Sequence, residues 1–134
     1  MRQESNLATR RVKGGWDQVK YILLIYGDER VWASMSKDEM EKIYADHRAY
    51  GEAMGKAGVI KGGSELKPVS TATSVKFSGG KPRTVDGPFA ETKEQLAGYY
   101  VIETPNLEEA LAWAEKMPGM TQGTVEVRPL AVEA

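Results

Sequence analysis

Two runs of this chain, residues 19–26 (VKYILLIY) and 97–103 (AGYYVIE), are apolar at successive positions, not at alternate ones. Both are rich in β-branched and aromatic residues, which suit the pleated surface of a strand. A strand with one face on a core and one in water alternates apolar with polar residues. A strand apolar on both sides needs cover on both. What the rest of the sequence can lay over these two strands therefore limits the folds open to it.

Two helices are predicted. The first spans residues 37–57 and opens on Ser36-Lys37-Asp38-Glu39, a capping-box pattern. Met40, Ile43, Tyr44, His47, Gly51 and Met54 then recur at helical spacing, and Gly58 supplies a stop. The second follows Asn106, which can cap it with Glu109 three residues on. Leu107, Ala110, Leu111, Ala114 and Met117 form its buried stripe, and Pro118-Gly119 ends it. Residues 59–66 read as a strand with a bulge-like irregularity at Gly62-Gly63. Residues 74–77 and 82–85 flank Gly79-Gly80 as a hairpin, Asp86-Gly87-Pro88-Phe89 is a turn by composition, and residues 124–129 alternate as a last strand.

The order β-α-β, hairpin, β-α-β predicts an α+β fold on the ferredoxin-like plan, an antiparallel sheet with two helices on one face. Two helices cover only one side of the two doubly apolar strands. The other side is expected to pack on a second copy, as a homodimer joined sheet on sheet or closed into an α/β barrel-like assembly.

The 134 residues suit one domain, taken as residues 19–134, preceded by a polar extension over residues 1–18. That extension reads either as a disordered lead or as a docking arm carrying Arg2, Arg10, Arg11 and Lys13. It has no apolar core of the roughly 7–15 residues a signal peptide needs. The longest apolar stretch, Ile22-Leu23-Leu24-Ile25-Tyr26, is far shorter than the roughly 20 residues of a spanning helix. The expectation is a soluble, cytoplasmic protein without membrane association. Eighteen Lys and Arg against nineteen Asp and Glu give a net charge of −1, which argues against a nucleic-acid binder. The absence of Cys excludes disulfides, thiol nucleophiles and thiolate metal sites.

Imidazole chemistry has a single candidate, His47. On the apolar stripe of its helix it reads either as a packed, hydrogen-bonded residue or as a general acid/base, since an ordinary pKa of about 6.5 suits proton transfer near neutrality. The segment from Thr84 to Glu94 concentrates charge around the Asp86-Gly87-Pro88 turn. It reads as a solvated Asx-type turn, or as a loop aiming Asp86 with Glu91 or Lys93 into a pocket. Tyr26 belongs to an aromatic set, with Trp32, Tyr44, Tyr50, Tyr99, Tyr100 and Trp113, expected mostly in the core or an interface, with any of them able to line a pocket. No phosphate-binding loop, nucleophile elbow or metal-ligand spacing is visible, so neither a cofactor nor a metal is expected.

The string Asp86-Gly87-Pro88-Phe89-Ala90-Glu91-Thr92-Lys93-Glu94, followed by Leu96-Ala97-Gly98-Tyr99-Tyr100, resembles the YCII-related proteins of the DGPF subgroup. So do Lys20–Tyr26, Gly62–Leu66, Glu109–Ala114 and Val125–Pro129. The resemblance implies a ferredoxin-like dimer and a cleft with a His–Asp acid/base dyad, which on matching positions is His47 and Asp86. The wider superfamily includes a dehydrochlorinase of a chlorinated muconate-type acid, and small-aromatic monooxygenases share the dimeric fold. Many DGPF members are encoded near extracytoplasmic-function sigma factors. Two expectations follow. One is a cofactor-independent acid/base enzyme on a small, carboxylate-bearing substrate, with Tyr26, Glu91, Lys93 and Arg48 as substrate-binding residues and Lys93 or Arg48 pairing with the anion. The other is a non-enzymatic module that binds a ligand or a sigma-factor-type partner.

Overall fold

The computed structural model describes residues 18–131, together with the backbone of Arg11–Val12 (β1) and Gly15–Trp16 (β2). These two short strands pair antiparallel within the stretch read as a polar extension. The remainder of that stretch, and the expectation of disorder for it, lie outside the described residues.

The main sheet contains β3 (Val19–Gly27), β4 (Ile60–Glu65), β7 (Gln95–Thr104) and β8 (Thr124–Pro129) in the order β4-β7-β3-β8. Every neighbouring pair is antiparallel. The two doubly apolar runs are thus the two central strands, and the α+β, antiparallel architecture agrees with the ferredoxin-like plan. Register shifts between Ile60 and Gly62, where the Gly-Gly pair signalled an irregularity.

Among the described residues three α-helices pack on this framework, one more than the sequence pattern suggests. α2 (Lys37–Lys56) begins with the expected capping box, Ser36 accepting from the Glu39 amide while the Glu39 side chain accepts from the Ser36 amide. α3 (Leu107–Glu115) starts under an Asn106 cap. The additional helix, α1 (Glu29–Ala33), has five residues, too few to display a period. Its sequence signal is the cap. Asp28 accepts from the Arg30 amide at 2.9 Å and is clasped by the Arg30 guanidinium, which holds its carboxyl at about 2. Gly27 makes room for it, since a Cβ there would run into the Trp32 ring.

Alternation along β3 places the core. Val19, Tyr21, Leu23 and Ile25 are buried against Tyr50 and Met54 of α2, Ala110 of α3, and Met117. The apolar stripe of α2 differs from the expected one. Tyr50 is buried where Gly51 was expected, and Tyr44 stands 42% exposed. The inward residues 43, 47, 50 and 54 step by four and three, and Tyr50 satisfies its one polar atom by donating to the Trp113 carbonyl at 2.6 Å.

Among the described residues, no helix lies over the opposite sheet face. Ile22 pairs with Val101 and Leu24 with Tyr99, an apolar patch at the sheet centre whose members are half-buried. β5 (Thr73–Ser78) and β6 (Lys81–Asp86) form a separate hairpin. Its turn has Gly79 at φ +59° and Gly80 at +80°, the left-handed pair a two-residue type I′ hairpin requires. Among the described residues, no helix is long and apolar enough to cross a membrane.

Candidate functional site

A cavity of about 610 Å³ lies between the helix-bearing sheet face and the first two helices. The end of β3 and the backbone of β7 form its floor. α1 and α2 form one wall, the last residues of β4 another, and Pro118–Met120 close the end. Most of the lining is apolar, with Ile25, Met35, Met40, Ile43, Leu66 and Met120 contributing. α1 is tied over it at three points. The Trp32 indole donates to the Gly119 carbonyl at 3.3 Å, Glu29 accepts from the Val69 amide at 2.9 Å, and the Gln95 side-chain oxygen accepts from the Glu29 amide at 2.9 Å.

His47 reaches this cavity from the inward face of α2. Its Nδ1 lies 2.7 Å from the Tyr100 hydroxyl, and the two rings stack at 6.0 Å between centroids and 14° between planes. Tyr100 belongs to the helix-facing set of β7 because it pairs with Leu23. Tyr50 stands edge-on to both rings, 5.4 Å from Tyr100 and 6.4 Å from His47. A second polar pair, the Tyr44 hydroxyl donating to Glu65 at 3.1 Å, lines the cavity one helical turn earlier.

The electrostatics of His47 follow from this placement. Burial pushes its pKa below the ordinary 6.5, because desolvation disfavours the imidazolium. A hydrogen bond to the Pro118 backbone and the negative charges of Glu65 and Asp46 act in the opposite direction and are smaller. Burial also raises the pKa values of Tyr100 and Tyr50, so both phenols stay protonated.

Of the six residues singled out from the sequence, His47 alone lines the cavity. Asp86 ends β6, exposed, opposite Thr73. The turn after it is fixed locally, the Gly87 amide donating to the Ala72 carbonyl at 2.7 Å and Ser74 to the Gly87 carbonyl at 2.7 Å. Within one chain the structure does not bring Asp86 and His47 together. Arg48 projects from the exposed side of α2, and Glu91 and Lys93 sit exposed in the loop before β7. Tyr26 is half-buried on β3, on the face away from the helices by alternation. Four members of the aromatic set, Trp32, Tyr44, Tyr99 and Tyr100, also line the cavity; the pattern did not single out Glu29, Glu65 or the pairing of Tyr100 with His47. Parity was the available signal for Tyr100, since it shares a strand face with Gly98 and Ile102. Among the described residues, no group of three or more His, Cys, Asp or Glu is placed to hold a metal ion.

The YCII-related domain matches residues 19–133. An uncharacterised protein of Rhizobium meliloti (strain 1021) is 40% identical over 114 residues, covering 84% of this chain and 92% of the relative.

The lowered pKa of His47 has a consequence for stability. Between its folded value and the ordinary 6.5, the unfolded chain binds a proton that the folded chain does not. Stability therefore rises with pH through that window, is complete above about 6.5, and falls on acidification below it. Urea midpoints measured from pH 5 to 7 should show this slope, and His47→Gln should flatten it. An equal slope in both proteins would contradict the assignment.

Proposed function

The chain belongs to the YCII-related family, and we propose that it acts on a small, mainly apolar molecule held in the helix-side cavity, with His47 as the proton acceptor. One observation carries this reading: the chain's single imidazole sits in an apolar cavity with Nδ1 2.7 Å from a phenol that also lines it. We further assign the chain to the DGPF subgroup on Asp86-Gly87-Pro88-Phe89 and the residues that follow.

The supporting chemistry is as follows. With a ring N–H held by the Pro118 backbone carbonyl, the Nδ1 lone pair is left to accept from the Tyr100 hydroxyl. Neutral imidazole is the form a general base needs, and burial keeps it neutral. As the ligand gives up a proton, Nδ1 gains one, directly or by way of the Tyr100 hydroxyl, which passes its own proton on and is re-protonated. The resulting imidazolium faces the negative charges of Glu65 and Asp46. The proton then returns to product. In this reading Tyr100 orients the imidazole in place of Asp86. The mechanism needs no cofactor.

A neutral apolar carbon acid tests this without knowledge of the natural substrate. In 5-nitrobenzisoxazole a base removes the C–H proton, the C–H electron pair forms the nitrile, and the N–O pair leaves as a coloured phenolate. The protein should accelerate this reaction, the rate falling at pH values where His47 is protonated. His47→Gln should slow it by about 10²-fold or more. A rate unchanged by His47→Gln would sink the proposal.

We also propose that the open sheet face joins two copies into a homodimer, possessing the barrel-like form the family resemblance implies. Ile22, Leu24, Tyr99 and Val101 supply a contiguous apolar centre for the contact. Sedimentation velocity should show a dimer that Leu24→Glu converts to monomer. A wild-type species that is monomeric at all concentrations would contradict this.

A further inference from the structure

The cavity has a charge character that the expectation of a carboxylate-bearing substrate does not fit. Among the described residues, its lining contains two carboxylates, Glu29 from α1 and Glu65 from β4, and no Lys or Arg. The two cations expected to meet a substrate anion, Arg48 and Lys93, lie outside it. An anion entering here would leave water to face two like charges, with no positive side chain among the described lining residues.

We infer that the cavity selects a cationic ligand with an apolar body, of the arylalkylamine class, whose ammonium group lies toward Glu29 and Glu65. This rests on the cavity being the ligand site of the preceding reading.

Three features converge on it. Both carboxylates are anchored through one oxygen, Glu29 by the Val69 amide at 2.9 Å and Glu65 by the Tyr44 hydroxyl at 3.1 Å, so each is held at the cavity wall. The wall also carries aromatic side chains from both helices, Trp32 from α1 and Tyr44 from α2, together with Tyr100 from β7. Aromatic faces attract cations electrostatically and accept an apolar body equally well. Finally, the volume of about 610 Å³ and its mostly apolar lining suit a molecule of one or two rings. The carboxylates and rings come from four separate elements, so the arrangement is a product of the tertiary fold and not of one locally acidic segment.

A matched series with one apolar body separates the classes: 1-naphthylmethylammonium, 1-naphthalenemethanol and 1-naphthoate. Binding is measured by calorimetry at pH 7.5, and the His47 ring resonances in NMR report whether the cavity is occupied. The ammonium compound should bind about tenfold or more tighter than the alcohol, and the carboxylate weakest. Glu65→Gln and Glu29→Gln should each remove most of the ammonium advantage while leaving the alcohol's affinity unchanged, which also shows that the variants are folded. If the alcohol or the carboxylate equals or exceeds the ammonium compound while moving His47, the charge preference is wrong and the ligand cavity stands. If none of the three moves His47, both the preference and the reading of the cavity as a ligand site are overturned.

Discussion

The pairing of β3 with β7 is the constraint on which the rest of this molecule depends. Leu23 lies opposite Tyr100 and Leu24 opposite Tyr99. Side chains alternate between faces, so this register sends Tyr100 to the helix side, where His47 waits, and Tyr99 to the open side. A slip of one residue would exchange the two tyrosines and leave His47 without its partner. Leu23 and Ile102 are fully buried beside this pairing. Removing a side chain of that kind from a core costs about 2–5 kcal/mol, so the register is held by the same packing that makes the fold stable. The position of the imidazole's partner is thus a by-product of core formation.

Two opposing effects then set the character of His47. Desolvation disfavours its charged form and is the larger effect; Glu65, Asp46 and the Pro118 backbone favour that form. The result is an imidazole that rests neutral yet faces groups that stabilise it once a proton arrives. Tyr50 stiffens this arrangement from behind. Its hydroxyl is anchored on the last turn of α3, and its ring stands edge-on to Tyr100, His47 and Trp113. The aromatic set that the sequence offered as core material therefore also positions the site.

Elements with strong local signals were legible in the sequence. The doubly apolar central strands, the capping box at Ser36, the Gly79-Gly80 turn and the Asn106 cap each depend on a few neighbouring residues, and each lies where the pattern placed it. α1 was not legible, because five residues carry no period and its stability comes from the Asp28 cap and from Trp32 seated over Gly27. The site was half legible. His47 stood out by being the single histidine, but Glu65, Tyr100 and Pro118 come to it from distant parts of the chain by tertiary folding, Tyr100 from 53 positions on. Asp86 stood out because of a dense local motif. In the structure that motif closes the base of the hairpin through the Gly87 and Ser74 hydrogen bonds, a local role that composition alone does not separate from a catalytic one.

The central claim is that a neutral His47, its Nδ1 accepting from the Tyr100 hydroxyl, is the reactive group of the cavity. Ring ¹⁵N shifts of His47 test it most directly, measured by long-range ¹H–¹⁵N correlation in the native protein and in Tyr100→Phe. At pH 6.5 the account predicts a predominantly neutral ring with clearly unequal nitrogens, Nε2 protonated and Nδ1 not, and a shift of Nδ1 when the hydroxyl is removed. A ring that is mainly imidazolium at that pH, or nitrogens unaffected by Tyr100→Phe, would contradict it.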